Sequence, residues 1–326
     1  MSAVMGKAHG FSIKIVMKSK IPILILAYNR ADLVVQVMRV IQDYQPARLY
    51  LACDGPRKQK AGDVARVAET REAMIKAINW DCEIKTLFRE QNIGCAFGVY
   101  EAITWFFAKE EYGVILEDDV LVSQDFFHLC EDLLPRYKDE ERIMQIVSRN
   151  TSRRKDILNT YVYTQSDSCW GWASWRRAWK YMDMSMRGIK VISIPYLIKR
   201  QGLFKGCMRY YYFHRTYANL EQSTSWATRW GLTILSNDGL VICPGVNMGI
   251  NIGMAEGEHY SAIDAKAPEF RYELQSMMWP IVYNDTQIVD ERQKRFDNYR
   301  YMQGRFHSLV YKKLGLGYLL EFLHLG

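Results

Sequence analysis

Gly113-Val114-Ile115-Leu116-Glu117-Asp118-Asp119 joins a short apolar run directly to three adjacent carboxylates. An apolar run without polar alternation suits a strand buried on both faces of a parallel sheet. Carboxylates crowded at the end of such a strand repel one another and lose their water, so they need a cation. Hard oxygen ligands suit Mg2+ or Mn2+, and a metal that also binds phosphates would supply the charge.

The pattern extends upstream. Ile21 to Tyr28 is another apolar run, and after Asp32 the residues Val34, Val37, Met38 and Ile41 recur at helical spacing. Arg48 to Cys53 reads as a second strand, closed by the turn signal Asp54-Gly55-Pro56. A polar helix is expected from about Asp63 to Asn79 and a third strand over Glu83 to Phe88. Ala96, Val99, Tyr100, Ile103 and Phe107 mark one more helix face before the fourth strand at Gly113 to Leu116. Alternating strand and helix predict an α/β fold, a mostly parallel sheet flanked by helices. In open sheets of this kind ligands bind beyond the carboxyl ends of the strands. The polar groups Asn29-Arg30, Asp54-Gly55, Arg89 to Gly94 and Glu117 to Asp119 all fall at such ends. After about Gln145 the pattern turns irregular and aromatic, with a later strand expected at Leu240 to Cys243.

The 326 residues are 49% hydrophobic and 24% charged, which excludes a disordered or low-complexity chain. No apolar run approaches the roughly 20 residues of a membrane span, and the first residues lack the apolar region of a signal peptide. Seven scattered cysteines without a C-x-x-C pair argue against a disulfide framework or a structural zinc site. A reduced, cytoplasmic protein is expected. The net charge of +7 is uneven: Arg149 to Arg229 holds 15 basic and 4 acidic residues, interleaved with aromatics. Such a block attracts phosphates, nucleic acid or an acidic membrane surface, unless it is an ordinary solvated face.

The motifs Leu26-Ala27-Tyr28-Asn29-Arg30, Cys53-Asp54-Gly55-Pro56-Arg57, Phe88-Arg89 to Asn92-Ile93-Gly94 and Ile115 to Asp119 occur in this order. They are followed by Trp170-Gly171-Trp172-Ala173-Ser174-Trp175-Arg176-Arg177-Ala178-Trp179, Ser225-Trp226 with Arg229-Trp230, and Asn251-Ile252-Gly253 with His259. In this combination the chain resembles the GT-A glycosyltransferases, specifically bacterial family-2-like enzymes related to inverting β-N-acetylglucosaminyltransferases. The resemblance implies a Rossmann-like nucleotide-diphospho-sugar transferase over 21–260, with a donor half at 21–145 and an aromatic, basic acceptor half at 146–260. Residues 1–20 would be a leader, with Met17 a sufficient start, and 261–326 a C-terminal helical extension.

The resemblance also implies roles. Ala27, Tyr28 and Arg30 would border the nucleotide, and Asp54 would accept a hydrogen bond from a uracil-like imide, its alternative being a turn-forming Asp. Arg89, Asn92 and Gly94 would line the ribose and diphosphate. Glu117, Asp118 and Asp119 would form the DXD-type motif, with Asp119, and His259 from afar, on Mn2+ or Mg2+. Trp170 and Trp172 would face the sugar, leaving Trp175 and Trp179 to packing.

In the relatives this chain resembles, Trp226 is typically followed by an aspartate that serves as general base. Here Ala227 stands instead, and alanine cannot accept a proton. Glu221 is the nearest substitute, with Glu256 and Glu258 further off. The expected function is therefore metal-dependent inverting transfer from a nucleotide-diphosphate sugar, expected to be UDP-linked, to a glycan or lipid-linked glycan of the bacterial surface. The alternative is a catalytically impaired sugar-nucleotide-binding relative. Nucleic acid is not an expected partner. Peripheral contact with the anionic inner face of the cell membrane is expected through the C-terminal stretch from Phe306 to Leu323 and the basic block.

Overall fold

A computed structural model describes residues 21–150, 152, 154–253 and 273–308. The first half alternates as the periodicity requires: β1 (Ile23–Ala27), α1 (Ala31–Tyr44), β2 (Arg48–Cys53), α2 (Asp63–Lys76), β3 (Glu83–Phe88), α3 (Cys95–Phe107) and β4 (Tyr112–Glu117). A short β5 (Val120–Val122), α4 (Gln124–Arg136) and β6 (Ile143–Val147) follow. The irregular part then resolves into β7 (Tyr161–Thr164), β8 (Trp172–Trp175), α5 (Arg176–Trp179), a 3-10 turn at Arg187–Val191, α6 (Ile194–Gln201) and α7 (Leu203–Ala218). The described chain ends with α8 (Trp226–Ser236), β9 (Leu240–Pro244), β10 (Gly249–Asn251) and α9 (Glu291–Ser308).

The main sheet has eight strands in the order β3-β2-β1-β4-β8-β6-β9-β7. β1 is parallel to both β2 and β4, and β2 to β3, so four carboxyl ends share one edge. β8 inserts antiparallel between β4 and β6, with Ile115 opposite Trp172. β6 and β9 run parallel, and β7 closes the far side antiparallel to β9. β10 pairs with β5 in a separate two-stranded ladder just past the carboxylates.

Alternation along each strand sends successive side chains to opposite faces. Ile23, Ile25, Leu49, Leu51, Val114 and Leu116 point to the face covered by Val34, Val37 and Ile41 of α1, Val67 and Met74 of α2, and Phe126 to Leu134 of α4. Leu24, Leu26, Tyr50, Ala52 and Ile115 point to the other, under Ile103, Phe106 and Phe107 of α3 and Trp226, Trp230 and Ile234 of α8. This double cover is why the strands lack polar alternation. A third, smaller core joins α6, α7 and α8 through Leu197, Phe213, Leu232 and Leu235.

Candidate functional site

The shared strand edge gathers the polar motifs. Ala27 lies in register with Cys53, Cys53 with Phe88, and Leu26 with Glu117. The backbone N–H of Asp118 donates to the Leu26 carbonyl at 2.9 Å, and that of Tyr28 donates back to Asp118 Oδ2 at 3.1 Å. Glu117, Asp118 and Asp119 thus stand directly beside Tyr28 and Arg30.

Sequence reasoning assigned the compensating charge to a metal. In the structure Arg30 supplies part of it: Nη2 donates to Asp118 Oδ1 at 2.5 Å and to Asp119 Oδ2 at 2.8 Å. Burial opposes charging of Arg30, but Asp118 and Asp119 outweigh it and hold the guanidinium ionised. Burial, reinforced by Asp119 and Asp118, pushes the Glu117 carboxyl up to about 8. Asp118 is pushed up to about 6 by burial, against the opposing pull of Arg30. One guanidinium does not satisfy three carboxylates: Asp119 Oδ1 and Glu117 Oε1 are buried without a hydrogen-bond partner. Unpartnered carboxylate oxygens are of the hard type that a divalent cation takes as ligands. Among the described residues no group of three or more His, Cys, Asp or Glu is placed to hold a metal ion together. His259, Glu256 and Glu258 lie outside the described residues.

The Asn251-Ile252-Gly253 segment closes over this corner. The Ile252 N–H donates to the Asp119 carbonyl at 2.8 Å. A Cβ at Gly253 would sit 2.6 Å from Arg30 Nη1 and 2.7 Å from Asp119 Oδ2, so the close approach requires glycine.

A second group organises the loops after β2 and β3. The Asp54 carboxylate, expected at the nucleotide base, accepts from the backbone N–H groups of Gly55 at 2.8 Å and Ile93 at 3.3 Å. These bonds fix the turn. Asn92 donates to the Gly55 carbonyl at 3.0 Å and accepts from Gly94 N–H at 3.1 Å. Gly94, at φ +83° just before α3, occupies backbone space that a side chain would strain. Arg89 pairs with Glu101 at 3.0 Å. Asp54, Arg89, Asn92 and Gly94 are therefore brought together, chiefly by bonds that shape the loops.

Asp63, at the start of α2, was read only as a helix beginning, and the structure makes it a hub. Its buried carboxylate accepts from the Tyr28 hydroxyl, from Asn29 Nδ2 at 2.7 Å and from Arg57 N–H at 2.8 Å. Burial alone would raise its pKa, but these bonds hold the carboxyl well below the usual range. Burial and the bond to Asp63 push the Tyr28 phenol up to about 12. The Arg57 guanidinium covers the Tyr28 ring 5.2 Å from its centroid. The only sequence signal was an Asp following Gly62 at a helix start, which ordinarily reads as solvated.

The tryptophan-rich segment divides differently from expectation. Trp172 is fully buried, its ring 5.8 Å from Trp226 and from Trp230 and 6.2 Å from Trp179. It belongs to the packing, with Trp179 on the same face and Trp175 in the core of the opposite face, because a β8 residue opposite Ile115 faces α8 rather than the sheet edge. Trp170 lies at that edge, nearly buried, with the Arg149 guanidinium 4.4 Å over its ring.

Glu221 is exposed in the loop between α7 and α8. That loop is held from below by the buried Arg229, which donates to the carbonyls of Leu220, Ser223 and Ser225. Ala227 packs half-buried against the tryptophan cluster. Asp167, between β7 and β8, pairs with Arg209 at 2.6 Å and precedes Cys169 by two residues. Burial raises the Cys169 thiol well above its ordinary value, and the charges of Glu117, Asp167 and Asp119 add to the rise.

Much of the basic block is consumed internally. Arg154 pairs with Asp156 and Asp290, Lys180 with Glu141 and Arg200 with Asp238, while Arg177 donates to three backbone carbonyls. Among the described residues no helix is long and apolar enough to cross a membrane.

No protein-family model and no curated protein sequence matches the chain. Among solved structures, a mannosyltransferase from Pyrobaculum calidifontis in complex with GDP-Man and Mn2+ is similar at 14% identity, over 68% of this chain and 74% of that one, with a TM-score of 0.35. HddC from Yersinia pseudotuberculosis is similar at 9% identity, over 48% and 77%, with a TM-score of 0.29, and its complex with GMP-PN has a TM-score of 0.30. Likeness at this level bears on neither the site nor the reaction.

Proposed function

We propose that the protein is a glycosyltransferase that takes its sugar from a nucleotide-diphosphate donor bound at the carboxyl edge of β1 to β4. The observation that carries this reading is the corner where Arg30 lies across Asp118 and Asp119 while Asp119 Oδ1 stays buried without a partner. A corner holding both a fixed guanidinium and unneutralised carboxylates suits a diphosphate only together with a divalent cation. Asp119, with Glu117 beside it, would hold Mn2+ or Mg2+. When bound, the metal would neutralise the departing nucleoside diphosphate.

Tyr28 and Asn29, fixed by Asp63, would form a rigid wall for the nucleoside, and Arg30 would move part of its charge onto the phosphates. Asp54, Asn92 and Gly94 would keep the neighbouring loops in place, so that Arg89 borders the ribose and diphosphate. Uridine as the base, inversion at the anomeric carbon and a bacterial surface glycan as acceptor follow from the sequence resemblance. For the base we consider Asp167, held by Arg209 two residues before Cys169, alongside the exposed Glu221. The decisive experiment is calorimetric titration with UDP and GDP, each with and without Mn2+, followed by mass spectrometry of products from a panel of nucleotide sugars. Metal-dependent nucleotide binding with sugar transfer supports the reading, and absence of binding to every nucleotide overturns it.

A second reading, a sugar-nucleotide-binding protein that does not transfer, is favoured by Ala227 packed where the relatives carry an acid. It expects the same binding with no turnover of any donor.

A further inference from the structure

The helix α7 has its apolar residues on the wrong side for a soluble surface. Leu203, Phe204 and Tyr211 are 55%, 48% and 53% exposed, and Cys207 and Arg215 are exposed with them. At 3.6 residues per turn, these five positions fall within an arc of about 120°. The opposite side is already engaged: Gly206, Phe213 and Thr216 are buried, and α7 packs on α6, α8 and α9. The outward face is therefore an apolar stripe with no partner among the described residues.

Charge supplies the second observation. From Met184 to Leu220 the chain has no Asp or Glu, while it carries Arg187, Lys190, Lys199, Arg200, Lys205, Arg209 and Arg215. Arg200 and Arg209 are paired with Asp238 and Asp167 from outside the stretch, but Lys190, Lys199 and Arg215 reach solvent. Val191 and Ile194, at 61% and 42% exposure, add apolar side chains in the same stretch. Five tyrosines, Tyr196, Tyr210, Tyr211, Tyr212 and Tyr217, lie in it as well. Exposed aliphatic side chains and tyrosine with an excess of cations, on a stretch that contributes no carboxylate of its own, match the interface of an anionic bilayer, where apolar groups sink to the acyl boundary and cations meet phosphate headgroups.

We propose that the outer face of α7 docks the protein on an anionic lipid bilayer, with Leu203, Phe204 and Tyr211 inserted and Lys190, Lys199 and Arg215 against the headgroups. This holds whatever the protein transfers, because it uses no residue of the strand-edge site. It also differs from the contact expected at Phe306 to Leu323, which lies for the most part outside the described residues.

The test is flotation of the full-length protein with phosphatidylglycerol–phosphatidylcholine vesicles and with phosphatidylcholine alone, at low and high salt. The protein is expected to float only with the anionic vesicles and to dissociate as salt rises. An environment-sensitive fluorophore on Cys207, in a Cys95→Ser background, is expected to shift to the blue on binding. The triple variant Leu203→Ser, Phe204→Ser, Tyr211→Ser is expected to partition at least about tenfold more weakly, since its inserted apolar area is gone. Should that variant fail to fold, by circular dichroism, the Cys207 label carries the test alone. A protein that stays with the soluble fraction overturns the proposal. So does a vesicle-bound protein whose Cys207 label does not shift, or a folded triple variant that floats like the original. Calorimetric titration with nucleotide on the same preparation keeps a failure here separate from a failure of the transferase reading.

Discussion

The Arg30 guanidinium donates to Asp119 Oδ2 at 2.8 Å and leaves Asp119 Oδ1 buried without a partner. The residue is half-neutralised, a state that a bound cation would complete. Asp119→Asn is expected to remove the dependence of nucleoside diphosphate binding on Mn2+. Calorimetry should return the same weak affinity with and without metal, at least about tenfold below the original with Mn2+. Retention of the full Mn2+ effect would rule Asp119 out as a ligand.

Asp63 gives the fold an acid-sensitive joint. Its carboxyl ionises at lower pH in the folded protein than in the unfolded chain, so it contributes stability above the unfolded value of about 4. That contribution is lost as pH falls through the lower, folded value. Asp63→Asn is expected to cost about 1–3 kcal/mol at pH 7, from losing a buried charged acceptor. In urea unfolding the gap between variant and original should narrow below pH 4, and a gap independent of pH would contradict the assignment.

For the base, Asp167→Asn should lower turnover by about 10²- to 10⁴-fold and leave nucleotide affinity unchanged, the mark of a lost proton acceptor. Glu221→Gln, altering an exposed loop residue, should leave turnover intact. The reverse result would return the role to Glu221.

Ala227 occupies the second position of α8, half-buried against the tryptophans and only two residues past the Ser225 cap. An aspartate there would be favoured by the helix N-terminus. If the chain lacks a base, Ala227→Asp alone should raise transfer by about 10²- to 10⁴-fold. With Asp167 in that role, the gain should appear only in the Asp167→Asn background. Comparing the two single variants with the double variant separates these outcomes.

Trp172→Ala is expected to destabilise the protein by about 3–5 kcal/mol, because it empties the space between β8 and α8. A shift of the denaturation midpoint without a change in donor affinity would confirm that Trp172 packs rather than binds. Donor affinity that collapses in a fully folded variant would restore it to the cleft.

The first half of the fold was legible because its inner strands β1, β2 and β4 are covered on both faces. Ile23 to Ala27, Leu49 to Cys53 and Val114 to Leu116 therefore carry no polar alternation, and Asp54-Gly55-Pro56 punctuates them. The second half was opaque for a physical reason. β7 and β8 are four residues each, and antiparallel insertion between distant partners leaves no local period. The site was legible as a set of strand ends, not as bonds. Nothing in the spacing distinguishes an Asp54 that binds a ligand from one that ties Ile93 to its own turn, nor an Asp63 in solvent from one gathering three donors. How much of the basic block is neutralised was hidden for a similar reason: partners such as Asp238, Glu141 and Asp290 lie outside it in the chain.

The insertion of β8 between β4 and β6 also dictates an order of assembly. On a ribosome, β1 to β4 emerge and pair before the strand that caps β4 has been made. Until Trp172 to Trp175 arrives, one border of the growing sheet presents unpaired backbone donors and acceptors. Non-local closure of this kind slows folding and leaves a sticky intermediate. Chains interrupted after β6 should therefore be the ones that aggregate, and yield in expression should depend on how fast β8 is delivered.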